Sequence, residues 1–399
     1  MDIGTEDDQH FYKGKSHKRN FEYGNKYENR SGKFEYGNKY ESKRGKFEYG
    51  NRYENKKHYR NNDESQEFGH FGYSQSECSY QDDTRFTPVQ KPEKPRKYTI
   101  SIAVPASILD ATSVKDELRT YVVGQIARAA VIYAVDEIIV YDDGCWTNKG
   151  SSMEDQANSQ LSLDKMRVLL EYQELPPYLR KYFFGFDKQL RCVGVLNPLN
   201  SSHHLKANEW CDYREGVVLP KTKNQKSYVD VGLPRNILIN EKLESGLRVT
   251  VKLPLVAQEM DNFSSHSYGS VVPPEEPRVK GGYYWGYSVR IAKSLSEVVT
   301  GNNYPEGYDL IIGTSDKGED AQKIKYPKFT HALIVFGGVE GLEAAIKADK
   351  QLQASNPNDL FHFYVNTCTN QQVRTIRTEE AILISMCVLH RKLSSKGIS

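Results

Sequence analysis

The densest run of groups able to do chemistry is NTCTNQQVRTIRTEEA, Asn366 to Ala381. It sets amides, hydroxyls, two guanidiniums and two carboxylates directly behind the β-prone FHFYVNT (Phe361 to Thr367) and ahead of a helix-prone run. Open parallel sheets hold their ligands beyond the carboxyl ends of the strands, which is where such a loop would lie. Arg374 and Arg377 are suited to gripping phosphates through forked hydrogen bonds, and Glu379 or Glu380 to taking a proton or orienting a reacting group. The competing reading is a solvated helix start whose two glutamates serve only the helix dipole.

Other familiar machinery is missing. The chain has no G-x-x-x-x-G-K-[ST], no G-x-S-x-G and no H-E-x-x-H, and GGVEG (Gly337 to Gly341) departs from G-x-G-x-x-G. P-loop hydrolysis, serine hydrolysis, zinc proteolysis and a Rossmann dinucleotide site are thereby disfavoured. His203 and His204 stand side by side in a polar loop, a weak metal pattern. The six cysteines (Cys78, Cys145, Cys192, Cys211, Cys368, Cys387) lie far apart without C-x-x-C. Free thiols are expected, with neither a disulfide framework nor a metal site.

The elements that must position these groups are legible around them. YTISIAVP reads as a strand ended by Pro105, and Ser113 with Asp116 as a capping box opening a helix. Leu118, Val122, Ile126, Ala129, Ala130 and Tyr133 recur there at helical spacing, and DEIIVYDD (Asp136 to Asp143) follows as a buried strand, completing a βαβ unit. Three later runs, YDLIIGTS (Tyr308 to Ser315), HALIVFGG (His331 to Gly338) and FHFYVNT, each end in Gly, Ser, Thr or Asn, so their ends should line a site. The last long helix is expected from Glu379 to about His390. Between the halves lie GVVLP, SYVDVG, NILIN and LRVTVKL, the last alternating with Leu247, Val249, Val251 and Leu253 on one face. Short strands at such spacing suggest a small inserted barrel, either a nucleic-acid binder or a purely structural insertion.

The first 97 residues are of another kind. They contain no leucine and no alanine, too few apolar groups to offset the entropy of ordering a backbone, and are expected to be disordered. Residues 11 to 60 carry 15 Lys and Arg against 6 Glu, a local excess of +9 in a chain whose net charge is +2. FEYGNKYE, FEYGNKYE and FEYGNRYE repeat there at a period of 13, and the same stretch holds 12 Phe or Tyr. Interleaved rings and cations suit single-stranded nucleic acid, while an expanded repeat that merely solvates the terminus has the same composition. The expected organisation is a tail at 1–97, an α/β domain split between 98–191 and 284–399, and a β insertion at 192–283. No run of 18 apolar residues and no signal-like start occurs in MDIGTEDDQH, so no membrane contact and an intracellular location are expected.

ELRTYVVGQIARA (Glu117 to Ala129), GTSDKG (Gly313 to Gly318) and the Asn366 to Ala381 run together resemble the SPOUT superfamily of trefoil-knotted RNA methyltransferases. The resemblance is to its archaeal and eukaryotic branch, which contains a large-subunit ribosomal RNA uridine-N3 methyltransferase. VDEIIVYD, LNPL, YYWGY, LIVFGGVEGLE and YVNTC extend it over 98–391. It implies a knotted parallel α/β sheet with an OB-like insertion, a homodimer whose sites borrow residues across the interface, and S-adenosylmethionine as cofactor. The cofactor would lie among Thr314 and Ser315, then Gly337, Gly338 and Gly341, then Asn366 and Thr367 with Ile376 and Thr378 after them. It further implies Arg119 near the target nucleotide, as electrostatic partner of a base at Glu379 or Glu380 or as a phosphate binder alone. Lys317, Arg374 and Arg377 would hold RNA. Two features depart from the resemblance: the aromatic tail, and NTCTNQQ, which lacks the Pro and Gly of that loop in relatives. The resemblance also allows a second reading, a non-catalytic RNA-binding or spindle- and kinetochore-associated scaffold. The implied location is the nucleus, nucleolus or cytoplasm.

Overall fold

Ile- and Val-rich runs joined by helix-length crossovers can pair only in parallel, and that rule builds most of the molecule. The computed structural model describes residues 87–88, 94–112, 115–145, 153–254, 267–354 and 356–398. The tail repeats and Ser113, half of the expected capping box, lie outside them. Along the chain come β1 (Thr87–Pro88), β2 (Thr99–Pro105), α1 (Ile108–Thr112), α2 (Asp116–Ile132), β3 (Glu137–Tyr141), α3 (Met153–Glu174), α4 (Arg180–Phe183) and β4 (Glu209–Trp210). The barrel strands follow: β5 (Tyr213–Lys223), β6 (Lys226–Asp230), β7 (Ile237–Ile239), β8 (Arg248–Lys252) and β9 (Ser267–Val272). The last part holds β10 (Ser288–Ala292), α5 (Leu295–Thr300), β11 (Leu310–Asp320), β12 (His331–Val335), α6 (Gly341–Ala348), α7 (Pro357–Leu360), β13 (Phe363–Asn366) and α8 (Thr378–Ser394).

Six strands form an all-parallel sheet in the order β10-β3-β2-β12-β11-β13. Every residue of β2 and β3 is buried, as expected of parallel strands covered on both faces. On one face Ile100, Ile102, Val104, Ile138 and Ile334 meet Val123 and Ile126 of α2, Met166 and Leu169 of α3, and Met386 and Leu389 of α8. On the other, Ala103, Ile139, Leu333 and Val335 meet Leu295 and Val298 of α5 and Leu342 and Ile346 of α6. Each fully buried Ile or Leu contributes roughly 2 kcal/mol, so the two layers hold the strand ends in fixed register. The central pair, β2 and β12, joins the N-terminal and C-terminal halves of the domain.

The inserted β strands close into a barrel ordered β5-β6-β7-β9-β8, with β8 returning to β5. β7 and β9 run parallel and the other neighbours antiparallel, the OB arrangement. Val218, Val229, Ile237, Ile239, Val249 and Val251 fill it.

Four local expectations change. Leu247 precedes β8 beside Gly246, whose φ of +86° turns the chain, and it is exposed instead of joining Val249 and Val251. Helix α2 starts at Asp116 after the N-cap Lys115, which makes no side-chain cap. Leu118 falls on the exposed stripe of α2, since Leu118, Tyr121, Gln125 and Ile132 are spaced 3, 4 and 7 apart, away from the sheet. Helix α8 begins one residue earlier than expected and runs to Ser394 because Leu389 and Leu393 continue its buried face.

Candidate active site

The carboxyl ends of β11, β12 and β13 lie side by side, and short side chains stitch their loops together. β11 pairs with β13 at Thr314↔Val365 and again at Glu319↔Val365, so the residues between loop out of the ladder. Gly318 brings that loop back against β13, where a Cβ would run into the Val365 and Asn366 backbone. Thr314 Oγ1 donates to the Val335 carbonyl at the end of β12 (3.0 Å). Asn366 Nδ2 donates to the Asp316 carbonyl (2.7 Å), while its Oδ1 accepts from the Cys368 amide (2.8 Å). Thr378 Oγ1, opening α8, donates to the Gly337 carbonyl (3.0 Å). Thr314, Asn366, Gly337 and Thr378 thus tie the loops together at the carboxyl ends of β11, β12 and β13.

The middle loop needs its glycines. Gly341 has φ +80°, a left-handed conformation that a side chain strains, and its amide closes the turn onto the Gly338 carbonyl (3.1 Å). A Cβ on Gly337 would come within 2.8 Å of the Leu342 amide nitrogen. A Cβ on Gly338 would come within 2.5 Å of Asp143 Oδ2 and 2.9 Å of Ser107 Oγ. The loop therefore lies as bare backbone against the carboxyl ends of β2 and β3. Without side chains on Gly337 and Gly338 the backbone of this loop packs closer to its neighbours than any other residue would permit.

The remaining expected residues are placed as follows. Ser315 Oγ accepts from the Lys317 amide and donates to Asp316 (both 3.2 Å). Thr367 Oγ1 pairs with Ser385 Oγ on α8 (2.8 Å), and Ile376 is half-buried in the loop before Thr378. Lys317 Nζ bridges to Glu343 Oε1 (2.9 Å), which raises the lysine above its usual value. Burial would raise Glu343, but Lys317 overrides it and holds that carboxyl low. Arg374 is exposed and Arg377 mostly so, Arg377 lying 3.6 Å from Glu379. Glu379 is buried at the start of α8, and Glu380 Oε2 accepts from the Arg377 amide (3.0 Å), capping the helix. Arg119 pairs with Asp110 of α1 at 3.2 Å. Arg377 thus engages both glutamates, Glu379 through its guanidinium and Glu380 through its backbone amide, while Arg119 is paired with Asp110.

Sequence reasoning passed over Ser107, Asp142 and Asp143. Burial pushes the Asp143 carboxyl up, and the Asp142 charge adds to this, against the Ser107 hydroxyl (2.6 Å) and the Cys145 amide (3.2 Å) that donate to it. Asp142 in turn accepts from Ser159 of α3 (2.7 Å). The available signal was a pair of acids closing a buried strand. Tyr364 is a second omission: burial pushes it to about 12, and it stacks on Phe361 at the base of the β11 loop.

The two histidines belong elsewhere. His203 is wholly buried between Ser201 Oγ (2.9 Å) and the Glu174 carbonyl (2.9 Å), and burial with the neighbouring His203 lowers His204 to about 3. Among the described residues no group of three or more His, Cys, Asp or Glu is arranged to hold a metal. Cys145, Cys192, Cys211, Cys368 and Cys387 are free thiols. No helix of the described residues is long and apolar enough to cross a membrane.

Residues 99–389 match the family model described as "Putative RNA methyltransferase". The chain is 45% identical over 317 residues to the 28S rRNA (uridine-N(3))-methyltransferase of Mus musculus, covering 77% of this chain and 80% of that protein. It is 44% identical over 313 residues to the Homo sapiens protein of the same name, covering 77% and 82%. A solved SpoU methyltransferase, AviRb from Streptomyces viridochromogenes in complex with the cofactor AdoMet, overlays loosely, at 10% identity and a TM-score of 0.26 over 75% of this chain and 60% of that one.

Proposed function

The chain belongs to the RNA methyltransferase family whose model spans residues 99–389, and from that premise we propose that it methylates N3 of a uridine in large-subunit ribosomal RNA, using S-adenosylmethionine. The observation that carries the reading is the near-half identity to uridine-N3 methyltransferases across the stretch that contains the three stitched loops. The fit to the cofactor rests on these loops: Gly337, Gly338 and Gly341 present bare backbone, while Thr314, Asn366 and Thr378 hold the flanking loops in place. Ser315, Thr367 and Ile376 complete the cofactor side. When bound, S-adenosylmethionine supplies an electrophilic methyl group on a sulfonium.

The chain's own work is to place the uracil and receive its N3 proton. The N3–H is weakly acidic, so a carboxylate that accepts the proton and a cation that stabilises the anion both lower the barrier, the latter by roughly 10²- to 10³-fold for one well-placed donor. Glu379 is the proposed base, because the carboxylate of Glu380 is committed to capping α8. Arg119 is the proposed cation, released from Asp110 or shared with it as RNA binds. Lys317, Arg374 and Arg377 lie on the same loops and engage phosphates.

The assembly proposed is a homodimer. Its support is the apolar stripe Leu118, Tyr121 and Ile132 on α2, with Leu383 on the adjoining α8, all exposed in one chain. The trefoil knot is likewise proposed; its support is that Lys392 Nζ of α8 donates to the carbonyls of Ala321 (3.0 Å), Gln322 (2.6 Å) and Ile324 (3.2 Å), which fastens the link between β11 and β12 to the last helix. The nucleolus, nucleus or cytoplasm is the expected location. A non-catalytic scaffold at the spindle or kinetochore is the second reading, and the three stitched loops disfavour it because a scaffold has no use for a cofactor site. Calorimetry with S-adenosylmethionine, followed by mapping of methylated uridines in ribosomal RNA after loss of the protein, tests both. No binding and an unchanged map would leave the scaffold.

A further inference from the structure

The β5–β6 hairpin of the barrel is built against its own stability. Its two turn residues, Asn224 and Gln225, both have positive φ (+51° and +61°), the geometry of a type I′ turn in which glycine is normally favoured at the second place. Directly beside the turn Lys223 faces Lys226 across the ladder, and like charges in that position repel. Lys221 lies on the same face as Lys223, and Tyr228 on the same face as Lys226, because alternate residues of a strand share a side. From Leu219 to Val229 the hairpin contains no acidic residue.

That face continues across the barrel. Tyr228 pairs with Leu238 of β7, and Leu238 with Tyr268 of β9, so the three side chains form one row. Ile237 and Ile239 belong to the barrel core, which points Leu238 outward, yet it is only 2% exposed. The leucine in the middle of the row is thus covered, and the two tyrosines flank it. Lys221 lies over the Tyr228 ring (5.1 Å) and Lys226 over the Tyr268 ring (5.3 Å), so a flexible lysine sits against one face of each ring. Further along β6, Asp230 accepts from Tyr182 of α4 (2.7 Å), and Phe186 beyond α4 is fully exposed.

We propose that this outer barrel face, with Tyr228 and Tyr268 as stacking surfaces and Lys221, Lys223 and Lys226 as phosphate contacts, holds single-stranded RNA. Bases need ring faces, phosphates need cations, and an unstacked strand offers both at once where a duplex offers only phosphates. The lysine repulsion in the hairpin is relieved when a polyanion lies on it. This inference rests on the RNA methyltransferase reading for its biological setting, but it is tested separately from it.

The test uses the full-length chain and a fluorescein-labelled oligouridylate of about 16 nucleotides, the upper range for one OB barrel, beside a duplex of equal length. Replacing Tyr228 and Tyr268 by Ala is expected to weaken single-strand binding about tenfold per ring, to leave duplex binding and the melting temperature nearly unchanged, and to be rescued by Phe at both positions. Lys221→Glu with Lys226→Glu should weaken binding and flatten its log–log salt dependence by about 0.7 per lysine. Oligonucleotides carrying 4-thiouridine should crosslink to peptides of β6 and β9. Wild-type affinity in the alanine variants together with crosslinks confined to other segments would overturn the proposal. So would equal losses for single strand and duplex, or a changed oligomeric state with unchanged RNA affinity, which would assign the face to a protein. Calorimetry with S-adenosylmethionine runs alongside. Its failure in the wild-type chain would sink the methyltransferase reading and leave the barrel face to be judged on the oligonucleotide data.

Discussion

Arg248 of the barrel reaches Glu174 at the end of α3 and so joins the two parts of the molecule, and its removal has a calculable signature. Its Nε contacts Glu215 Oε2 (2.6 Å) within the barrel, and its two terminal nitrogens contact both oxygens of Glu174 (2.7 and 3.0 Å) at the end of α3. Thr250 and Trp285 satisfy Glu215 from other sides, whereas Glu174 shares its remaining contact with His203 (3.1 Å). Burial alone would raise Glu174, yet Arg248 and then His203 hold it far below its ordinary 4.5. Arg248→Met strands a buried carboxylate, a loss of about 3 to 5 kcal/mol for a fully buried pair. One edge of Arg248 is about a third exposed while Glu174 is 7% exposed, so solvent screening of the arginine moves the figure toward 3 kcal/mol. For a domain of this size that corresponds to a fall in Tm of about 5 °C.

The pH dependence supplies the sharper test. A carboxyl with a depressed folded pKa contributes stability that is complete above its unfolded value and drains away as pH falls through the folded one. The wild type should therefore keep its Arg248–Glu174 stabilisation at pH 7 and lose it progressively below about 4.5. In the variant only His203 still opposes burial, so Glu174 titrates higher than in the wild type and protonation relieves the defect. Denaturant midpoints at several pH values should show the gap between the two proteins widest near neutrality and narrowing toward acid. A gap that is constant or widens toward acid would refute this account of the charge cluster.

Gly338→Ala puts a methyl group against Asp143 and Ser107; S-adenosylmethionine affinity measured by calorimetry should fall at least about tenfold, with circular dichroism unchanged. Glu380→Ala removes the carboxylate that caps α8 and should cost about 1 kcal/mol by denaturant unfolding, while Glu380→Gln recovers most of it. Arg119→Ala should abolish methyl transfer while leaving cofactor affinity within about twofold, and unchanged turnover would remove Arg119 from the site. Deleting residues 1–86, which spares β1 and the Arg96–Asp136 pair, should raise KM for RNA and leave kcat alone; a fall in kcat would give the tail a part in the methyl-transfer step.

Five strands of the sheet were readable because their signals are local: Ile and Val runs that stop at Pro105, Asp142, Gly337 or Asn366 carry their own boundaries. The edge strand β10 and the barrel strand β9, with charged or small residues breaking their runs, were passed over, and at Leu247 the φ of Gly246 overrode the barrel alternation. The site was only half readable. Small residues ending three strands marked its loops, but nothing in the sequence brings Gly338 to Asp143 and Ser107, which converge only because β2, β3 and β12 lie together in the sheet. Glu380 illustrates the limit from another side. Its position at a helix start fitted a base and a cap equally, and the choice depended on one hydrogen bond to a backbone amide. The bond between Glu174 and Arg248 spans 74 residues and two architectures, so no local pattern announces it.

The central strand pair also sets a timetable. Thr99 on β2 bonds to His331 on β12, a separation of 232 residues, so the first strand of the sheet leaves the ribosome long before the strand that will lie against it exists. At roughly 5 to 20 residues per second that interval is about 10 to 50 s. Throughout it, the β2 edge that will receive β12, in a strand rich in Ile and Val, has no permanent neighbour. A nascent chain of this design needs a chaperone, or the early docking of α2, to keep that edge from pairing with another chain.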